Sequence, residues 1–183
     1  MDVQDAQREM RFVYIGGFWG LLVSSVIWLV SAMLGMWVSP RASILTVVIG
    51  GFFIFPLMHM MRRASVSTRN PFMSLGMQVA FVLPFSMLLL VPVGLYRLNW
   101  FFPALMVLVG AHYLPFATLY GMRMFLVLAG ILIAIGVVIA VCFAETFSPG
   151  SWIGGLALLL FAGIGRSIAT GEATLQSISD PKR

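Results

Sequence analysis

A chain of 183 residues that is 61% hydrophobic and only 9% charged cannot clothe a water-soluble core, because a soluble surface needs far more charge. Its solvent is lipid, where backbone hydrogen bonds must close within the protein. Continuous apolar runs of about 20 residues, without alternation, select helices over barrel strands. The net charge of +5 comes mostly from arginines scattered over short connections, a topology signal and not a nucleic-acid-binding stripe.

In chain order, residues 1–11 (MDVQDAQREMR) mix acids with arginines and are expected in water or the headgroup layer as a cytoplasmic N-terminal segment. Residues 12–168 read as an all-α transmembrane domain, a polytopic bundle of six helices at about 12–38, 43–61, 72–95, 100–120, 124–143 and 151–168. The first span is too long for a signal-peptide core and lacks a convincing cleavage site, so it is expected to be retained. The charged linker RRASVSTRN, 62–70, follows the second span. Pro84 and Pro92 should kink the third span and Pro115 the fourth, because each removes a helical hydrogen bond. The fifth span is almost purely aliphatic. The stretch 169–183 is polar and is expected to form a loosely ordered cytoplasmic tail.

Orientation follows from the basic residues. The N-terminus, the second and fourth connections and the C-terminus hold nine of them: Arg8, Arg11, Arg62, Arg63, Arg69, Arg123, Arg166, Lys182 and Arg183. The opposite ends hold only Arg41 and Arg97. Cytoplasmic connections retain Lys and Arg, so both termini are expected in the cytoplasm, and six spans fit that parity. Trp37, Trp100 and Trp152 fall at the expected outer boundary, where indole favours the interface; Tyr14 and Tyr120 fall near the inner one. The single cysteine, Cys142, lies near the outer end of the fifth span and allows no intramolecular disulfide.

Small residues four apart, such as Gly16 with Gly20, Gly136 with Ala140 and Ser151 with Gly155, let helix backbones approach in lipid. They suit a compact bundle, and a homodimer or larger membrane complex remains open.

Polar side chains at membrane depth raise functional hypotheses by default, and here they are few. Gln78 lies roughly 9 Å inside the third span and His112 roughly 12 Å inside the fourth, at 1.5 Å rise per residue. These antiparallel neighbours can meet at one level. One reading is a small binding pocket in the inner half of the bundle, built from Gln78 and His112 with Tyr113 or Tyr120. The other is a structural hydrogen bond of His112 to Gln78 or a backbone carbonyl, worth about 1 kcal/mol. His59 reads as an interfacial histidine, and Arg62 and Arg63 as contacts to anionic lipid headgroups.

No Asp or Glu lies inside a predicted span, which leaves proton or cation coupling without an obvious carboxylate. No HExxH cluster, nucleophile elbow, CxxC pair or phosphate loop appears, and the two histidines make a poor metal site, so no metal and no cofactor is indicated. A catalytic site would have to run on His112, tyrosine and Gln78, and the reading leans away from an enzyme.

The segment GAHYLPFATLYG, 110–121, resembles a stretch found in small bacterial integral membrane proteins of uncharacterised function. The resemblance implies the bacterial inner membrane and carries over no activity and no functional residue. Three function classes follow. The leading expectation is a small transporter or channel for an unidentified solute, motivated by the prolines, Gly50, Gly51, Gly110, Gly154 and His112. The others are a non-catalytic scaffold or accessory subunit and a lipid-binding protein, the last predicting a cavity open sideways to the inner leaflet.

Overall fold

The computed structural model describes residues 1–179, with side chains described through residue 171. Its helices are α1 (Val3–Tyr14), α2 (Phe18–Trp37), α3 (Pro40–Met60), α4 (Phe72–Met87), α5 (Leu90–Tyr96), α6 (Phe101–Tyr120), α7 (Met124–Cys142) and α8 (Pro149–Ser179). Tight 3-10 turns occupy Ile15–Gly17 and Leu98–Trp100, and no strand occurs among the described residues. Six stretches are long and apolar enough to cross a membrane: α1 with α2, α3, α4 with α5, α6 with its preceding turn, α7, and α8 as far as Gly171. Among the described residues the protein is therefore all-α, with six helical stretches of membrane-crossing length and apolarity.

The charged N-terminal segment is a helix. Asp2 caps it by accepting from the Val3 N–H at 2.7 Å, and Ala6, Met10 and Val13, at helical spacing, are buried while Arg8 and Phe12 face outward. It ends where Ile15, Gly16 and Gly17 take positive φ of 52°, 60° and 80°. Gly16 is required there twice over, since a Cβ would also stand 2.7 Å from the Gly165 carbonyl oxygen of α8.

The core lies between α2, α6, α7 and α8, with Leu21, Phe102, Leu105, Phe125, Leu128 and Leu158 among its fully buried side chains. Glycines set the closest approaches. A Cβ at Gly136 would meet the Pro103 carbonyl oxygen at 2.8 Å, and one at Gly110 would meet the Ala129 carbonyl oxygen at 2.9 Å, so α6 and α7 touch backbone to backbone. Gly154 and Gly155 seat α8 under Trp28 and Leu29 of α2, and the Ser25 hydroxyl donates to the Gly155 carbonyl oxygen at 2.8 Å. Ser31 ties α2 to α3 by donating to the Ser43 carbonyl oxygen at 2.6 Å. Gly50 is filled by Ile27. Gly50, Gly110 and Gly154 thus serve helix packing.

α3 and α4 stand at the edge of this core, with only Ser43 and Val47, and Val79 and Met87, fully buried on them. Pro84 and Pro115 stay inside continuous helices, while the third span breaks at Leu88 and Leu89, one turn ahead of Pro92. The proline ring clashes with the carbonyl four residues back, so Leu88 and Leu89 turn to 3-10-type bonds with Phe85 and Ser86. α8 continues past Ile168 to Ser179, through the stretch expected to be a loose tail.

One end of the bundle gathers α1, the 61–71 linker, the α6–α7 turn and the Gly165–Arg166 part of α8. Arg63 N–H donates to the Val13 carbonyl oxygen at 3.0 Å, Gln7 Nε2 to that of Thr118 at 2.7 Å, and Arg11 to that of Tyr120. Glu9 accepts from the Ser67 N–H and from Asn70 Nδ2, each at 2.7 Å. Seven basic residues of the larger set sit on these elements; Lys182 and Arg183 lie outside the described residues. The other end carries Arg41, Arg97 and the three boundary tryptophans, with Trp152 Nε1 donating to Met36 Sδ at 3.2 Å.

Candidate functional site: a two-chambered cavity

α3 packs along α2 and α4 packs against α6, but α3 and α4 touch each other little, which leaves space between the two pairs. The deeper chamber is a cavity of about 90 Å³ walled by α2, α3, α4 and α6, with Phe125 of α7 reaching in. Its lining is overwhelmingly apolar, contributed by residues such as Leu21, Val47, Gly51, Ile54 and Met87; its polar side chains are Ser24, His112, Tyr113 and Tyr120. A second chamber of about 50 Å³ lies toward the α1 end, where Met10, Tyr14, His59 and Arg62 line it. Phe55, Met58, Ala80, Phe116 and Tyr120 line both, so the two chambers adjoin.

α6 supplies one aromatic wall. A repeat of four residues puts His112, Phe116 and Tyr120 on a line, with the His112 and Phe116 ring centres 5.1 Å apart and Phe116 and Tyr120 stacked at 5.8 Å. Tyr113 is one position round the helix, yet the chamber is wide enough to include it, 5.7 Å from His112. Phe125 locks this wall from behind, stacked on Tyr120 at 5.4 Å and on Tyr113 at 6.0 Å. The Tyr113 side chain meets Ser24 of α2. His112 keeps a buried Nδ1 with no hydrogen-bond partner among the described residues, and so does His59 in the second chamber.

Of the residues singled out from the sequence, His112, Tyr113 and Tyr120 come together in the deep chamber. Gln78 does not: it is exposed on the outer face of α4, in a shallow groove with Phe81, Phe85 and Ser86. The helical phase explains this, since Val79 and Met87 are the residues α4 buries. Arg62 lines the second chamber, whereas Arg63 is exposed over the Phe12 ring at 5.9 Å. The sequence reading missed Ser24, Tyr14 and the chamber-facing role of His59. Ser24 had a signal: with Ser31 it puts hydroxyls seven residues apart on one face of α2.

Toward the tryptophan end the cavity stops at Trp28. That ring lies 5.9 Å from Phe102, which meets Phe101 at 5.4 Å and Phe147 at 5.2 Å. Chemically the two chambers offer an apolar, aromatic enclosure with an unpartnered imidazole nitrogen in each and a cation, Arg62, in the one beside α1. That suits a molecule that is mostly hydrocarbon and carries polar groups. No group of three His, Cys, Asp or Glu side chains that could hold a metal ion occurs among the described residues.

No curated protein and no solved structure matches the chain. The DUF7010 family, described as a family of unknown function, matches residues 3–165, and the chain belongs to that family.

Proposed function

We propose that this integral membrane protein binds an amphiphilic lipid-like molecule, admitted sideways from the bilayer between α3 and α4, which touch each other little. The observation that carries the reading is the pair of adjoining, mostly apolar chambers, one lined by His59 and Arg62 and the other by His112. His112 is the deep polar anchor, and Tyr113, Tyr120 and Phe116 form the wall. The location is the bacterial inner membrane with both termini in the cytoplasm, a reading supported by the basic end of the bundle and the tryptophans opposite. A transport path is less well supported, because the packed rings from Trp28 to Phe147 fill the outer half.

Ala80 lines both chambers, so Ala80→Phe should obstruct them. Lipid extracted from purified wild-type protein should contain a molecule that the variant retains at less than about a fifth of wild-type occupancy, provided filling removes most of the contact surface. Equal retention in a variant that unfolds at the wild-type temperature rules the reading out.

A second copy or a larger membrane assembly fits the α4 face. Gln78 there turns an amide toward lipid, and a two-fold partner would supply both a donor and an acceptor for it.

A further inference from the structure

We infer that the second chamber is an anion site with Arg62 as its charge partner, so that the amphiphile is an acid: a carboxylate or phosphate monoester on an alkyl chain. This rests on the amphiphile-binding reading above and names the ligand class. Arg62 lies just beyond the end of α3, half-buried and facing the chamber. A guanidinium drawn out of water is costly unless it meets an anion, yet no carboxylate lies within 4.0 Å of Arg62 among the described residues. The ion pair found there joins Arg8 to Asp5 at 3.8 Å, and Glu9 of α1 is engaged with Ser67 and Asn70.

Two further groups face the same space. His59, one turn before Arg62, has a buried Nδ1 without a partner, and the Tyr14 ring closes the chamber from α1. An acidic head seated here would take hydrogen bonds from the guanidinium, and its chain would run inward past Phe55, Met58 and Phe116 into the deep chamber. Arg63, next in sequence, lacks this setting. It is exposed and covers Phe12, which makes it an internal control.

The test compares equilibrium binding of hexanoate, hexyl phosphate and hexanol, short enough for the two chambers, to the full-length protein in neutral detergent. Both anions should bind more tightly than the alcohol. Arg62→Gln should weaken anion binding about 10- to 100-fold, the range of a charge-assisted hydrogen bond, and leave hexanol unchanged, which also shows that the variant is folded. Arg62→Lys should recover part of the loss, and Arg63→Gln should have no effect. Tighter binding of either anion identifies the head within the class and supports the inference. If all three ligands bind alike and Arg62→Gln changes nothing, the anion site is overturned while the amphiphile-binding reading stands. Equal losses in Arg62→Gln and Arg63→Gln also overturn it, since diffuse surface charge then accounts for the effect. If none of the three binds, the amphiphile reading fails and the inference with it.

Discussion

The Trp28 indole occupies the place where Gly154 has no side chain: a Cβ at 154 would stand 2.2 Å from the ring. Both residues are buried, and the ring also forms the outward end of the cavity. Gly154→Ala should therefore separate α2 from α8 or displace the indole. The expected loss is about 1–3 kcal/mol of stability, as for overpacked cores, read from unfolding of the purified protein in detergent. Gly130→Ala is the matched control, because nothing lies within 4 Å of that position.

The Ser31–Ser43 contact is a buried polar tie within the closely packed α2–α3 pair. Ser31→Ala removes its donor and should cost about 1 kcal/mol. The local effect should be larger than the global one, with amide exchange accelerating in α3 before α7. Uniform acceleration across all helices counts against α3 as a separately loosened element.

Glu9 holds the linker to α1 through the Ser67 N–H and the Asn70 amide. Glu9→Ala leaves both donors without this acceptor and should destabilise the linker by about 1–3 kcal/mol. Since the linker carries Arg62, Arg63 and Arg69, limited trypsin digestion should cut there faster in the variant. An unchanged digestion rate means the linker is held by other contacts.

Cys142 is exposed at the end of α7 opposite α1, so it reports orientation without further engineering. With both termini cytoplasmic, a membrane-impermeant maleimide added outside intact spheroplasts should label Cys142. In a Cys142→Ser background, Ser65→Cys in the exposed linker should react only after the membrane is opened. The reverse pattern overturns the proposed topology.

Gln78 faces outward with Phe81 and Phe85. Gln78→Leu should leave the monomer as stable as the wild type or more so, because it removes an amide from lipid, and should lower the cross-linked dimer fraction. Unchanged cross-linking excludes α4 as the dimer face.

The parts legible in the sequence were those governed by the solvent. Lipid requires long apolar helices, and every span is announced by its own run of residues, down to the aliphatic stretch of α7. The depth of His112 and the placement of the basic residues along the chain are likewise one-dimensional properties. Tertiary structure decided which way side chains turn and what meets them. The sequence puts Gln78 and His112 at similar expected depths, but α4 buries Val79 instead and leaves Gln78 outside. Midspan glycines look alike in sequence, yet Gly154 is closed by Trp28 while Gly51 opens on the cavity. Residues 1–11 look merely polar until three left-handed residues fold α1 back onto the bundle, where Met10 and Tyr14 close the inner chamber. In lipid, apolarity marks a helix as spanning without saying which of its faces is buried, so the cavity and its polar groups emerge only from how the helices pack.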